Sequence, residues 1–472
     1  MSREYSDLVG DGGPQYNDQI QDEISIFDPL SETSNESSND NDNIPLSMDV
    51  VTPSSGSDLK AAFFNMTNSI VGAGIVGIPM AFLNSGLFLG VLLMTVLTIV
   101  NDWTLRLIII NTKLSGTKTY TGFVTYTYGK LGKVVVLLSQ GLFAFGGSIG
   151  FVIIIGDSIP HVIRPLFANE INNSAILSYI LSRNSIMAFC VCAVCFPLSI
   201  IKDISLLAKA SGLALISMSI IISIVVFKAP FVSSDFKGTI PTLSYFVNVG
   251  FFQAVSVISF ALVCHHNTTF IYDSINTPTL DRFNRVVHIS CAISGFVCCL
   301  MGVCGFLNFG NKTKGNILNN FPSDDLLVNI ARLCFGMNMI TTLPLEVYVL
   351  REVIKDLYII YKANLNPSYK FQGFSKLQHL ATTAILILIP LIIALNTCNL
   401  GAVLEIVGAT SGSLIAYILP PLCYNKLTKR NHTLKQQIPY YACATFGFLV
   451  MVLSTAQTIH ATFSSPSNSH CI

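Results

Sequence analysis

Beyond residue 60 the chain alternates long apolar runs with short polar interruptions, and the runs recur at the length of a membrane crossing. A helix spans the hydrocarbon core with about 20 apolar residues. The 41 uncharged residues from Ala61 to Asn101 are too many for one crossing, and the turn residues Asn84, Ser85 and Gly86 divide them. Read onward in the same way, the pattern predicts eleven helices over 61–83, 87–110, 134–160, 185–201, 206–227, 244–272, 286–309, 326–350, 378–396, 401–424 and 439–462. The expected class is an all-α polytopic membrane protein.

The first run carries a conflict. "NSIVGAGIVGIPMAF" (68–82) is apolar enough to cross a membrane, yet it holds Gly72, Gly74, Gly77 and Pro79. Gly and Pro cost about 1 and 3 kcal/mol in a helix interior. Non-helical backbone at membrane depth is tolerated only where it lines a cavity or is buried in protein. With the N-terminus cytosolic, helix 1 runs outward and helix 6 inward, so helices 1–5 and 6–10 form two sets related by inversion. Transporters built this way seat their substrate mid-bilayer, at interrupted helices in matching positions of the two halves. The counterpart in helix 6 is "FALVCHHNTTFIY" (260–272), a polar knot from Cys264 to Thr269 without Gly or Pro. An unwound turn frees amides, and a half-helix N-terminus favours a carboxylate; freed carbonyls favour an ammonium or a cation. The alternative is close helix packing through small residues. Gly72, Gly74 and Gly77 do not form GxxxG; Gly146 and Gly150 of helix 3 do, and are read as packing.

Composition agrees with the pattern: 472 residues, 51% hydrophobic and only 11% charged, with mean hydropathy +0.60. Soluble domains carry about 25% charged residues. The net charge of +1 hides a segregation. Residues 1–60 hold 13 acids and two bases, and the remaining 412 residues hold 13 acids and 25 bases. Residues 1–57 are therefore expected to be a disordered, acidic, cytosolic tail, 58–463 a transmembrane domain and 464–472 a short luminal tail. Sixteen Lys/Arg fall in the loops on the side of the N-terminus and six in the opposite loops, which orients the N-terminus inward. Sequons at Asn172 and Asn311 fall outside, and one at Asn431 falls inside. The 13 cysteines lie mostly within apolar runs and are read as small packing residues. Cys192 and Cys195 make one CxxC with no second pair, so no metal site is expected.

Five stretches, "FNMTNSIVGAGIVGIPMAF" (64–82), "IIIGDSIP" (153–160), "SFALVCHHNTTFIYDSI" (259–275), "TTLPLEVYVLREVI" (341–354) and "EIVGATSGSLIAYILPPLCY" (405–424), resemble the amino acid/auxin permease family, in its vacuolar amino-acid transporter and sodium-coupled neutral amino-acid transporter branches. The resemblance covers the membrane body and leaves out the acidic tail. It implies a LeuT-like fold of 5+5 inverted repeats plus one helix, carrying amino acids, neutral ones above all, across a membrane. The substrate would lie against Gly72, Ala73, Gly74 and Ile75 of the first break and Phe260 and Cys264 of the second. In sodium-coupled relatives an Asn of helix 1 and a Thr of helix 8 help bind the cation, which places Asn68 and Thr341 or Thr342 here. Vacuolar relatives couple to protons instead, so the coupling ion is H+ or Na+, with no other cofactor. A vacuolar or lysosomal membrane is implied, with the endoplasmic reticulum or plasma membrane as alternatives.

Ionisable groups within spans are costly and draw a functional reading. Glu346 is either a proton carrier or the structural partner of a base such as Arg351. His265 sits in the second break, as a proton relay or a hydrogen-bonding support. Asp157, near the outer end of helix 3, either gates or holds structure. Asp102 and Arg106 have the spacing of a helical ion pair. Glu405 is read as a wetted carboxylate close to the lumen, and Arg332 as snorkelling outward. No nucleotide loop, zinc motif or nucleophile elbow appears, which argues against an enzyme; no nucleic-acid partner is expected. The surviving alternatives are a carrier of neutral amino acids bathed in membrane lipid and an amino-acid sensor whose tail engages a cytosolic partner.

Overall fold

The computed structural model describes residues 59–201, 211–366, 371, 373–429 and 433–464. The acidic tail 1–57, all but the first residue of the luminal tail 464–472 and the Asn431 sequon lie outside them. Among the described residues ten helices are long and apolar enough to cross a membrane. The fifth expected span appears as the 17-residue apolar helix Ser211–Phe227, since 202–210 are outside the described residues. The chain thus has a polytopic helical body of the expected kind.

Helix 1 is two pieces, Leu59–Ile70 and Ile78–Ser85, joined through a 3-10 turn at Ala73–Gly77. Gly86, at φ 87°, turns the chain into helix 2, Leu87–Ser115. A Cβ there would also lie 2.9 Å from the Val247 amide nitrogen, so the expected split has both a conformational and a steric reason. Helix 3, expected over 134–160, lies within Tyr120–Ile163, where Gly129 (φ 63°, ψ −151°) interrupts the helical backbone and separates a short leading helix from the longer one. Lys130 and Lys133 follow that break, so the longer helix reaches back past the charges that end the apolar run. Helix 4 covers Arg183–Ile200. Helix 6 is Phe251–Leu262 and Thr268–Ser274; helix 7 is Leu280–Phe309. Helix 8 is a 40-residue rod, Leu326–Leu365. Helices 9, 10 and 11 are Lys376–Asn396, Leu400–Thr428 and Leu434–Ser464.

Burial sorts these helices into layers. Helices 3 and 6 bury 89% and 83% of their most apolar windows, whereas helix 11 buries 28%. The outer helices turn rows of large apolar residues outward, such as Phe88, Leu92, Val96 and Ile99 of helix 2 and Phe448 and Val452 of helix 11. Those rows are the surface a bilayer requires. Helix 1 packs on helix 6, helix 2 on helix 7 and helix 3 along helix 8. Both pieces of helix 1 also pack on helix 7. Gly146 is held by this crowding: a Cβ on it would run into Val407 of helix 10. The packing reading of that glycine is the one the structure carries.

Several expectations for charged groups change. Arg332 does not snorkel; it is buried, and its guanidinium donates to the carbonyls of Leu318, Phe321 and Pro322 and to Asn329 Oδ1 at 2.8–3.0 Å. It ties the loop before helix 8 to the helix. Arg351 pairs not with Glu346 but with the Ser199 carbonyl (2.9 Å) and Thr383 (3.1 Å). Asp102 and Arg106 form the expected pair at 2.8 Å, and His288 approaches the same carboxylate at 2.7 Å. Cys398, between helices 9 and 10, is disulfide-bonded and so departs from the packing reading of the cysteines.

Candidate functional site

The two interruptions face each other. Helix 1 stops at Ile70, and Gly72 is extended (φ −96°, ψ −154°) before the 3-10 turn begins. Within that turn the Ile75 amide closes on the Gly72 carbonyl at 3.2 Å. The amides of Ala73 and Gly74 donate to no backbone carbonyl among the described residues. Helix 6 stops at Leu262; Val263 is extended (φ −72°, ψ 113°), and His265–Asn267 form a single 3-10 turn. The carbonyls of Phe260, Ala261 and Leu262 accept from no backbone amide beyond the break. Unpaired donors on one strand of the break and unpaired acceptors on the other are the groups a zwitterion needs.

Contacts stitch the breaks together. Asn267 Nδ2 donates to Ser69 Oγ at 3.0 Å, and Cys264 Sγ lies 3.5 Å from Met66 Sδ. A Cβ on Gly74 would come within 2.7 Å of Ala261 Cα and 3.1 Å of the Phe260 ring. Gly74 is thus glycine because the two backbones nearly touch there. Gly77 is likewise crowded by Leu404 of helix 10. Gly72 differs: a Cβ on it would meet nothing within 4 Å. The open space beside the first break is at Gly72.

The remaining expected residues fall at different distances from that space. Ala73, Ile75, Phe260 and Cys264 are buried around the turn. Phe143 of helix 3 stacks on Phe260 (ring centroids 5.3 Å apart) and lies 5.2 Å from the His266 ring. Nothing in the sequence singled out Phe143; only the fold brings it there. His265 is buried, with Nε2 2.8 Å from Thr104 Oγ1 of helix 2. The Thr104 hydroxyl donates to the backbone of its own helix, at Val100 O (3.0 Å). His265 Nε2 and the Thr104 hydroxyl thus share one hydrogen bond, and His265 Nδ1 is buried without a hydrogen-bond partner among the described residues.

Asn68, half-buried, and the helix-8 threonines are not in direct contact. Thr341 and Thr342 both donate to the Asn338 carbonyl, at 2.9 and 2.7 Å, which leaves oxygen lone pairs free. Glu346 faces Gly147 of helix 3 and forms no ion pair among the described residues. Asp157 is bound by Arg183 (3.3 Å) and by Asn319 Nδ2 (2.9 Å), well away from the breaks along helix 3. Among the described residues no three His, Cys, Asp or Glu side chains gather as a metal site would require.

Glu405 overturns its expectation. It is 2% exposed rather than wetted. Its carboxylate receives Asn84 Nδ2 at 3.2 Å, Gln253 Nε2 at 3.2 Å and Thr458 Oγ1 at 2.9 Å. These donors come from helices 1, 6 and 11, so only tertiary structure assembles them.

Comparison with known proteins agrees with this architecture. Residues 55–460 match the family model described as transmembrane amino acid transporter protein. The chain is 46% identical over 417 residues to vacuolar amino acid transporter 2 of Saccharomyces cerevisiae, covering 88% of this chain and 86% of the relative. It is 31% identical over 400 residues to the putative sodium-coupled neutral amino acid transporter 11 of Bos taurus, covering 85% and 83%. It is 28% identical over 417 residues to sodium-coupled neutral amino acid transporter 7 of Danio rerio, covering 86% and 88%.

Proposed function

We propose, from the premise that this chain belongs to the transmembrane amino acid transporter family, that it is a secondary active carrier gripping one amino acid between the breaks of helices 1 and 6. Transport of amino acids across a membrane is the function shared by its named relatives. One observation carries the seat of the substrate: Gly72 opens onto free space where two interrupted helices from opposite halves touch. The free amides of Ala73 and Gly74 and the N-terminus of Ile78–Ser85 take the α-carboxylate. The carbonyls at the end of Phe251–Leu262 take the ammonium. Phe143 and Phe260 bound the side-chain space, which carries no fixed charge and suits a neutral substrate.

Asn68 and Thr341 or Thr342 are the proposed cation positions, and the coupling ion is H+ or Na+. For a proton the candidates read from sequence are Glu346, His265 and Asp157. The membrane is vacuolar, in keeping with the name of the yeast relative, with the N-terminus cytosolic. Basic loops on the side of the N-terminus support that orientation. So does a disulfide at Cys398 on the opposite side, where an oxidising compartment would lie.

The test is purified protein in liposomes, offered labelled Gln, Leu, Tyr, Arg and Glu under imposed proton or sodium gradients. Preferential accumulation of Gln, Leu or Tyr under one gradient is the expected result. Preference for Arg or Glu would overturn the neutral reading, and equilibration under either gradient without accumulation would overturn coupled transport.

A further inference from the structure

Glu405 stands apart from the other acids of the membrane body. Asp157 has a cationic partner in Arg183, which stabilises its ionised form. Glu346 meets neither a cation nor a hydrogen-bond donor among the described residues. Glu405 is buried, receives three hydrogen bonds and has no cation among them.

The chemistry of the three donors matters. A guanidinium or ammonium only donates, and would hold a carboxylate ionised. Two primary amides and a hydroxyl do both. With the carboxylate ionised they supply three N–H or O–H groups, as observed. With a proton on it, the Thr458 oxygen or a rotated Asn84 or Gln253 amide accepts the new O–H. The ring can therefore offer an acceptor to the protonated carboxyl as well as donors to the ionised one.

Surroundings are otherwise free of charge. Helix 3 meets this part of helix 10 through Gly146 and Gly150. The half-helices Ile78–Ser85 and Phe251–Leu262 contain no titratable side chain. His460, two residues past Thr458 on helix 11, is exposed, as is Lys314 beside the Gly315–Gly401 contact. The 3-10 turn Ala73–Gly77 adds none.

Position supplies the link to transport. Asn84 is in the last turn of the half-helix that begins at the first break, and Gln253 is in the first turn of the half-helix that ends at the second. Glu405 holds the far ends of the two rods whose near ends form the proposed substrate seat. The geometry points to Glu405 as the proton-carrying residue of this transporter: a proton taken from the side on which helix 1 ends reverses hydrogen bonds to Asn84 and Gln253 and shifts both half-helices at the breaks. No covalent bond other than the carboxyl O–H forms or breaks, and the proton returns to water on release. The inference rests on the carrier reading above and names its coupling residue.

The experiment uses full-length protein in liposomes and compares wild type with Glu405→Gln and Glu405→Asp. Amino-acid counterflow without a gradient and accumulation under an inward proton gradient are measured together. Glu405→Gln should keep counterflow and lose accumulation and its pH dependence; Glu405→Asp should keep accumulation with a displaced pH profile. Wild-type accumulation by Glu405→Gln under the proton gradient overturns the inference. Infrared titration of the same preparations, without substrate, gives a readout independent of transport. A pH-dependent carboxyl band present in wild type and missing in Glu405→Gln supports the assignment, and an identical band in both overturns it. Should wild type fail counterflow with every amino acid, the carrier reading fails, and the infrared comparison still decides whether Glu405 takes up a proton.

Discussion

Gly72 and Gly74 sit two residues apart, and their surroundings predict opposite consequences of the same change. A methyl at Gly74 must displace the Ala261 backbone. Overpacking of that kind costs about 1–3 kcal/mol, so Gly74→Ala should lower the melting temperature and the yield of folded protein. A methyl at Gly72 meets nothing, and its backbone lies at negative φ. Gly72→Ala should melt with wild type while discriminating against larger substrates, read as a fall in Tyr uptake relative to Ala uptake. Equal uptake ratios in Gly72→Ala and wild type would remove Gly72 from the substrate space. Sequence marked both glycines as helix breakers and did not distinguish them, because the difference lies in what Ala261 brings across from helix 6. The same limit governed Glu405, whose partners are 321, 152 and 53 residues away in the chain. Arg332 escapes the sequence for a related reason: three of its four acceptors are loop carbonyls, which carry no residue-type signature.

At the level of single helices, composition was a good guide to interruption and a poorer one to extent. The first break was legible from Gly and Pro. The second lacks both, and six consecutive polar or small side chains from Cys264 to Thr269 were its only mark. Its carbonyls and amides are satisfied in part by those same side chains, as when Thr268 Oγ1 donates to the Cys264 carbonyl. Helix ends were harder, since charge ends an apolar run without ending the hydrogen-bonded spiral. Helix 8 shows a start that is chemically fixed: Asp325 accepts from the Val328 amide at 3.1 Å and is paired with Lys228. Burial alone would raise the Asp325 carboxyl, but the Lys228 hydrogen bond and the helix amides bring it below the ordinary value. A carboxyl lowered on folding adds stability at neutral pH that is lost as pH falls through its folded pKa. Asp325→Ala should therefore cost about 0.5–2 kcal/mol at pH 7, in the range of a lost N-cap. The deficit should shrink in acid, and calorimetry at two pH values checks this.

For the whole molecule, the odd number of spans in each half implies inversion but not packing, and the structure adds the contacts of helix 1 with 6, 2 with 7 and 3 with 8. A hydropathy pattern carries the number and direction of the spans, and tertiary contacts decide which of them touch. The acidic tail is where carrier and sensor readings part. Removing residues 1–57 should leave liposome uptake at the full-chain rate; abolished uptake with intact folding would show that the tail belongs to the transport cycle. Helix 8 has a further consequence. Its 40 residues reach about 60 Å at the usual rise, twice the roughly 30 Å of hydrocarbon. Near its end Tyr358 is braced by Phe374, which stacks edge-on against Phe371 at 5.4 Å. A helix of that length has more turns than one crossing needs, so a fluorophore on its last described turns should report from water how helix 8 moves during turnover.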